Sequence, residues 1–435
     1  MGARETALNV LIACRKEDGW SNSVLKHYCH RDRLDRREAA LAAYLCYGVL
    51  QNRLKLDFYL QQLLTGKVKS LHPAVRDILH LGLYQLRMMD KIPDSAAVNE
   101  AVSLTKKYCP KVRSAPALVN AVLRRAATEE LIEPKSYVEK YSHPQALVDM
   151  LKDYVGKDRL EKMLQTNNEI APMTVQVNRL RTTEPELQAA LESEGILVQK
   201  HSWLKECLIL SGTGSLEQLQ AFRDGLFYVQ DAAAKLSVLC ARIPENSHVL
   251  DCCAAPGGKS FAAAIAMGGT GTVTSCDIHE HKIPLIENGA KRLGIENLSA
   301  RQQDGAVYNS AWDAAMDVVI ADVPCSGYGI IRKKPDIRYK DPKTMEQLPK
   351  LQLQILTNQA RYVKPGGVLL YSTCTLVRAE NEGVVEQFLA SHPDFSLEPL
   401  QLPEVFAKNE TGMLALVPGE YDTDGFFIAR LRKKL

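Results

Sequence analysis

The chain has 435 residues, 46% hydrophobic and 24% charged, with a formal net charge of +3, which is the balance of a water-soluble protein with room for two or three domains. No apolar run approaches the roughly 18–20 residues that span a bilayer, and MGARETALNV lacks the apolar core of an export signal, so the expectation is a cytoplasmic protein with no membrane partner. The 11 cysteines are odd in number and hold no C-x-x-C pair, which fits thiols in a reducing compartment and argues against disulfides, a zinc ribbon or any metal.

Residues 1–140 hold 23 Lys+Arg against 15 Asp+Glu, an excess of +8, and the remainder carries −5. A basic segment on a near-neutral chain suits a polyanionic partner, although a solvated helical surface has the same composition. Glu38–Leu64, AVRDILHLGLYQLRMM and SAAVNEAVSLTKKY repeat apolar residues at three and four, the period of amphipathic helices, with Pro73 and Pro93 at turns and helix starts. PALVNAVLRRAA closes an all-α bundle and puts Arg124 and Arg125 on its outer side. Linker helices run on to about Asn168.

The period then changes. Thr174–Asn178 reads as a strand, EPELQAALESEG as a helix, ILVQK and ECLIL as strands, SLEQLQAFRDG as a helix and Leu226–Asp231 as a strand. This β-α-β-β-α-β order is that of a small ferredoxin-like unit, which together with the linker helices fills 141–231. RNA-recognition domains share the order, but their aromatic RNP signature is absent here, which leaves a structural spacer as the alternative.

From Ala232 to the end, strands and helices alternate as in doubly wound, Rossmann-like α/β folds. HVLDCC, TVTSCD, SARQQ, MDVVIADVP, GGVLLYSTC and GFFIARLRKK are the strands. After the first comes AAPGGKS, the right half of a phosphate-binding G-x-x-x-x-G-K-[ST] loop. However, Cys253 replaces its first glycine, and Pro256 removes an N–H from the would-be cradle. Strand ends bring Asp251, Asp277, Asp304 and Asp322 to one cleft, where ligands of such sheets bind. Asp277 lies 20 residues after Gly257, the spacing of a carboxylate that accepts from ribose hydroxyls. Four carboxylates suit a cationic nucleoside better than a nucleotide phosphate, which points to S-adenosylmethionine ahead of ATP, and ahead of NAD, whose G-x-G-x-x-G is missing.

DCCAAPGGKS resembles the D-x-C-A-A-P-G-G-K-T motif of the Sun family of RNA cytosine-C5 methyltransferases, DVPCSG its D-A-P-C-S-G, and YSTCT its Y-S-T-C-S. GIIRKKPDIRY and DGFFIARL are similar to segments of the bacterial Sun/Fmu branch, whose N-terminal helical domain resembles the antitermination factor NusB. The departures are Cys252 for an apolar residue, Ser260 for Thr and Val323 for Ala. The resemblance covers the whole chain. It implies a NusB-like bundle over 1–140, a ferredoxin-like middle domain, and an S-adenosylmethionine-dependent methyltransferase domain over 232–435. The cofactor would be held by Asp251, Ala254, Ala255, Pro256, Gly257, Gly258, Lys259, Ser260, Asp277, Asp304 and Asp322.

Cytosine C5 becomes nucleophilic when a thiolate adds at C6, which needs an activated cysteine beside the cofactor. Cys325 and Cys374 come just after adjacent strands and can face one cleft, and position alone does not rank them. The resemblance implies Cys374 as nucleophile and Cys325 as the group that helps remove the C5 proton and release the RNA. It further implies that Asp322 hydrogen-bonds the base at N3 and that Lys259 supports the site. The implied substrate is small-subunit 16S rRNA, before or early in subunit assembly. Methylation of another rRNA or tRNA, or a NusB-type RNA-binding regulator with an inactive transferase domain, are the alternatives. Arg332, Lys333, Lys334 and Arg338, with Lys340, lie shortly after Cys325 and are expected to contact RNA phosphates together with Arg124 and Arg125.

Overall fold

The structure, a computed structural model, describes residues 2–17 and 21–435. It divides into two compact units, Met1–Glu169 with Ile331–Lys340, and Ile170–Ile330 with Asp341–Leu435. Residues 331–340 thus leave the second unit in sequence, join the first, and return.

The first unit is helical, with Ala3–Glu17, Ser21–Arg31, Arg36–Leu63, Pro73–Met88, Asp94–Tyr108 and Ala115–Thr128 forming a bundle and Gln145–Val155 and Lys157–Thr166 coming after it. Leu8, Leu45, Leu60, Ile78, Leu79, Val119 and Leu123 are fully buried, the outcome of the three-and-four spacing. Asp35 caps the longest helix by accepting from the Glu38 N–H at 2.9 Å, and proline occupies the first turn of Pro73–Met88, where its missing N–H costs nothing.

Arg338 requires a correction. Expected on an RNA phosphate, it is 2% exposed and lies inside this first unit. Its guanidinium donates to the carbonyls of Gln51 at 3.0 Å, Ser142 at 3.2 Å and Asn167 at 3.2 Å, and to Asn168 Oδ1 at 2.9 Å. Gln51 stands beside the point where the long helix leaves helical dihedrals, at Asn52, which turns a carbonyl toward this donor. Burial lowers the guanidinium pKa to about 10, and carbonyl dipoles stand in for a counter-ion. A five-residue turn, Pro335–Tyr339, carries Arg338 there, together with Asp336, which accepts from Ser21 Oγ at 2.7 Å.

The second unit holds two sheets. Strands β1 (Met173–Val177), β2 (Leu197–Lys200), β3 (Cys207–Ser211) and β4 (Phe227–Val229) form an antiparallel sheet in the order β2-β3-β1-β4, the ferredoxin-like arrangement. The helix expected across 215–225 is broken into a turn, Leu216–Gln218, and a short helix, Gln220–Arg223, with Leu219 extended between them. The Glu194 carboxylate accepts from the N–H groups of Gln220 at 2.7 Å and Ala221 at 3.0 Å, so the helix starts afresh at that cap. Asn178 Nδ2 donates to both the Gly225 and Leu293 carbonyls at 2.8 Å, fastening this sheet to the larger domain.

The large sheet contains β5 (His248–Asp251), β6 (Thr272–Asp277), β7 (Leu298–Gln302), β8 (Met316–Asp322), β9 (Val363–Thr373), β10 (Phe395–Leu397), β11 (Met413–Leu416) and β12 (Phe426–Lys433). Its order is β10-β12-β9-β8-β5-β6-β7, with β11 on β12. Strands β5 to β9 run parallel, and β10 to β12 add antiparallel pairs. Strand order reverses at β5, between β6 and β8, which opens a crevice at their carboxyl ends. Among the described residues no helix is long and apolar enough to cross a membrane.

Candidate active site

The crevice is built from the segments that leave the carboxyl ends of β5, β6, β7, β8 and β9. Asp251 ends β5 fully buried and accepts from Ser260 Oγ at 2.7 Å, which in turn accepts from Ser275 Oγ at 2.8 Å. Burial lifts the Asp251 carboxyl pKa to about 7 against the opposing pull of Ser260 and Lys259. Asp251 therefore supports the loop from beneath. Asp277, at the end of β6 and nearly buried, accepts from the N–H groups of Ala255 at 3.3 Å and His279 at 2.9 Å. Asp304 is half-buried and accepts from the Ala306 N–H at 2.9 Å.

The loop between β5 and the helix Gly258–Ala266 shows why the phosphate-cradle reading fails. Ala254 N–H donates to the Cys276 carbonyl at 2.7 Å, Ala255 N–H to Asp277, and Gly257 N–H to the Ala254 carbonyl at 2.7 Å. Pro256 has no N–H. A nest needs successive N–H groups pointing at the anion, and these point into the protein. Gly257 takes φ +113°, and a Cβ there would stand 2.4 Å from the Phe261 ring, so the turn into the helix admits only glycine. Acidic strand ends and a loop without a nest fit S-adenosylmethionine, whose charge is cationic at the sulfonium and ammonium.

Lys259 Nζ donates to Asp322 Oδ2 at 2.6 Å, and Ser372 Oγ, from β9, donates to Asp322 Oδ1 at 2.8 Å. Burial works to lower the Lys259 pKa, but the adjacent Asp322 outweighs it and leaves the ammonium's pKa raised. The structure thus brings Lys259, Asp322 and Ser372 together. The two cysteines also meet. Cys325 Sγ lies 3.2 Å from Cys374 Sγ, and both are half-buried. Contact with Cys374, then burial, then the Glu380 and Asp322 carboxylates push the Cys325 thiol well above its usual range. All eleven cysteines are free thiols. The Gly329 N–H donates to the Cys374 carbonyl at 3.0 Å, tying the loop after Cys325 to the end of β9.

Residues 238–432 match the family model for the 16S rRNA methyltransferase RsmB/F, residues 1–128 the NusB family, and residues 143–217 the ferredoxin-like domain of RsmF/B-like methyltransferases. The chain is 36% identical to a probable ribosomal RNA small subunit methyltransferase B of Bacillus subtilis, covering 99% of this chain and 98% of that one. It is 33% identical to the protein so described from Synechocystis, covering 100% of both. The chain belongs to the RsmB/F family of 16S rRNA methyltransferases. Its fold matches the crystal structure of PH0851 with a TM-score of 0.81 at 23% identity, over 100% of this chain and 99% of that one. It also matches a methyltransferase homologue from Pyrococcus horikoshii with a TM-score of 0.57 at 26% identity, over 68% and 97%. The NSun6 protein of Pyrococcus horikoshii, solved with SFG, aligns with a TM-score of 0.58 at 21% identity over 67% and 98%.

Within this family frame, the expected RNA contacts separate. Arg124 and Arg125 are exposed on the first unit, as are Lys333 and Lys334, while Arg332 is half-buried. Arg125 is held by Glu129, at 2.6 Å, and by the Leu63 carbonyl, at 2.7 Å. Sequence reasoning passed over Ser326, Gln352, Ser372, Thr375, Glu380 and Asn381, which surround the cysteines. A signal was present. Ser326, Ser372 and Thr375 lie inside the motifs, and Glu380 and Asn381 form a polar pair just before the helix Glu382–Ser391.

Proposed function

We propose that the protein methylates C5 of a cytosine in small-subunit rRNA, with S-adenosylmethionine as methyl donor and Cys374 as nucleophile. The observation that carries this reading is the pair of thiols 3.2 Å apart at the crevice, beside the Lys259–Asp322 pair. Family membership and relatives described as small subunit methyltransferases support the substrate, and the neighbour solved with SFG, an analogue of S-adenosylmethionine, supports the cofactor. Asp277 and Asp304 are the groups to hold the ribose and base of the cofactor, with the loop Ala254–Ser260 against it. When bound, S-adenosylmethionine supplies an electrophilic methyl group for C5.

The target base must leave any stack to enter the crevice. The Cys374 thiolate forms a bond to C6, moving electron density onto C5 and the N3 edge; N3 takes up a proton in place of the one the thiol lost, its N–H donates to the Asp322 carboxylate, and that proton leaves again when the C6–sulfur bond breaks. Lys259, bonded to Asp322, holds that carboxylate in place and favours negative charge on the neighbouring sulfur. After methylation Cys325 takes the C5 proton, the C6–sulfur bond breaks, and the electron pair returns to Cys374. To take that proton Cys325 must first lose its own to solvent, and a sulfur whose pKa is raised is then the stronger base; contact with Cys374, then burial, then Glu380 and Asp322 raise that of Cys325.

Cys374→Ala should bind cofactor and RNA but form no covalent complex. Cys325→Ala should accumulate a protein–RNA band that survives denaturing electrophoresis and is lost in the double variant. Adducts in Cys374→Ala alone would make Cys325 the nucleophile, and none in either variant would remove the covalent route.

A further inference from the structure

Each reactive cysteine is gripped on both sides by side chains outside the motifs. Around Cys325, Gln352 Nε2 donates to the Pro324 carbonyl at 2.9 Å, and the same nitrogen donates to Glu380 Oε2 at 2.9 Å. The Ser326 N–H donates to Glu380 Oε2 at 2.9 Å, and the Ser326 hydroxyl to Oε1 at 2.5 Å. Around Cys374, the Thr373 hydroxyl donates to Asn381 Oδ1 at 2.6 Å, and Asn381 Nδ2 donates to the Thr375 carbonyl at 3.0 Å. One bond joins the two grips, between the hydroxyls of Ser326 and Thr375 at 2.7 Å. Because Ser326 gives its proton to Glu380, Thr375 must be the donor in that bond. Glu380, Asn381, Gln352, Ser326, Thr373 and Thr375 are all buried, and a buried carboxylate receiving three charge-assisted bonds is a stiff anchor.

We infer that the consecutive residues Glu380 and Asn381 are positioning residues that address the two cysteines separately, Glu380 setting Cys325 through Ser326 and Asn381 setting Cys374 through Thr373 and Thr375. Neither touches the reacting atoms. The inference rests on the two-cysteine reading above, in which Cys374 adds and Cys325 releases, and it assigns each anchor to one step. Loss of Glu380 displaces the releasing thiol while addition proceeds. Loss of Asn381 displaces the attacking thiol, so neither addition nor release is reached. Glu380→Gln keeps the size but puts an amide donor against the Ser326 hydroxyl, its N–H, or Gln352, all of which are donors here.

The test compares the full-length protein with its Glu380→Gln, Ser326→Ala and Asn381→Ala variants, using S-adenosylmethionine and a small-subunit rRNA transcript. For Glu380→Gln, single-turnover methylation should stay within about threefold of wild type while steady-state turnover falls roughly tenfold or more and the covalent protein–RNA band grows. Ser326→Ala, which removes one hydroxyl and leaves the backbone bond, should shift the same way by less, and it decides the matter if Glu380→Gln fails to fold. Asn381→Ala should lower single-turnover rate and adduct together. An activity-free measurement runs beside these, namely iodoacetamide labelling with mass-spectrometric readout, in which Glu380→Gln should change the labelling rate of Cys325 severalfold and leave that of Cys374, with the reverse for Asn381→Ala. Unchanged labelling of both cysteines in folded variants, or equal effects on both, overturns the inference. Selective labelling changes with no covalent band even in Cys325→Ala would sustain the positioning and overturn the chemistry instead.

Discussion

Asp277 shows what one carboxylate can contribute at the crevice. Two N–H groups already fix its orientation, so it meets a ligand without rearrangement. A charge-assisted hydrogen bond is worth about 1.5–3 kcal/mol, and Asp277→Ala should weaken S-adenosylmethionine binding roughly tenfold or more by calorimetry; unchanged affinity in the folded variant would take Asp277 out of the site. Asp251 behaves differently. Its folded pKa of about 7 lies above that of an unfolded aspartate, near 3.9, because burial penalises the charge and Asp322 adds to it, while Ser260 and Lys259 oppose. The unfolded chain loses this proton first, so stability falls as pH rises from about 4 to about 7 and then levels off. Asp251→Asn removes that dependence. It should raise the unfolding midpoint at pH 8 and change it little at pH 4, a difference of up to about 4 kcal/mol by linkage, and equal effects at both pH values would refute the burial argument.

At the scale of elements, the site depends on two chain segments passing at backbone distance. Gly329 donates to the Cys374 carbonyl and accepts from the Gly425 N–H at 2.8 Å, and a Cβ on Gly329 would stand 2.1 Å from the Gly425 carbonyl oxygen. No rotamer change relieves a clash with backbone, so Gly329→Ala must part the Cys325 loop from Gly425, just before β12, and from the Cys374 carbonyl, 2.8 Å from the same Cβ. The expected result is about 1–3 kcal/mol of lost stability together with loss of turnover while cofactor affinity is kept, since β5 and β6 are not involved. Loss of cofactor binding instead would show that the two halves of the crevice are not separable. The broken helix before β4 teaches the complementary lesson. Its residues have helical spacing, but Glu194, from another element, caps a new start at Gln220.

At the scale of the molecule, residues 331–340 matter most. They lie between the two cysteine motifs in sequence and fold with the helical unit. Arg338→Ala leaves the carbonyls of Gln51, Ser142 and Asn167 without this donor, and buried acceptors without partners cost about 1–3 kcal/mol each. The expected outcome is a loss of about 3 kcal/mol or more in the first unit, read by hydrogen exchange in Gln145–Val155, with little change in the salt dependence of RNA binding. Lys333→Glu with Lys334→Glu, at exposed positions, should instead weaken RNA binding and flatten its salt dependence. If Arg338→Ala is as stable as wild type and binds RNA less, the guanidinium reaches phosphate after all.

The domain sequence, the parallel sheet and the acidic strand ends were legible from periodicity, because faces and strand ends are set by local spacing alone. The turn after β5 and the meeting of the two cysteines were legible too, since each motif is a run of contiguous residues. Arg338 was misread because a basic run near a catalytic loop has the same composition whether it meets phosphate or carbonyl oxygen. Glu380, Asn381 and Gln352 stayed invisible for a related reason. They act on Cys325 and Cys374 across 7 to 55 positions of chain, and only the packing of β8, β9 and the helix after β9 decides which polar group faces which thiol. Spacing told which residues could share a crevice, but the direction of each hydrogen bond inside it was settled by burial, which leaves a donor or acceptor no water to turn to.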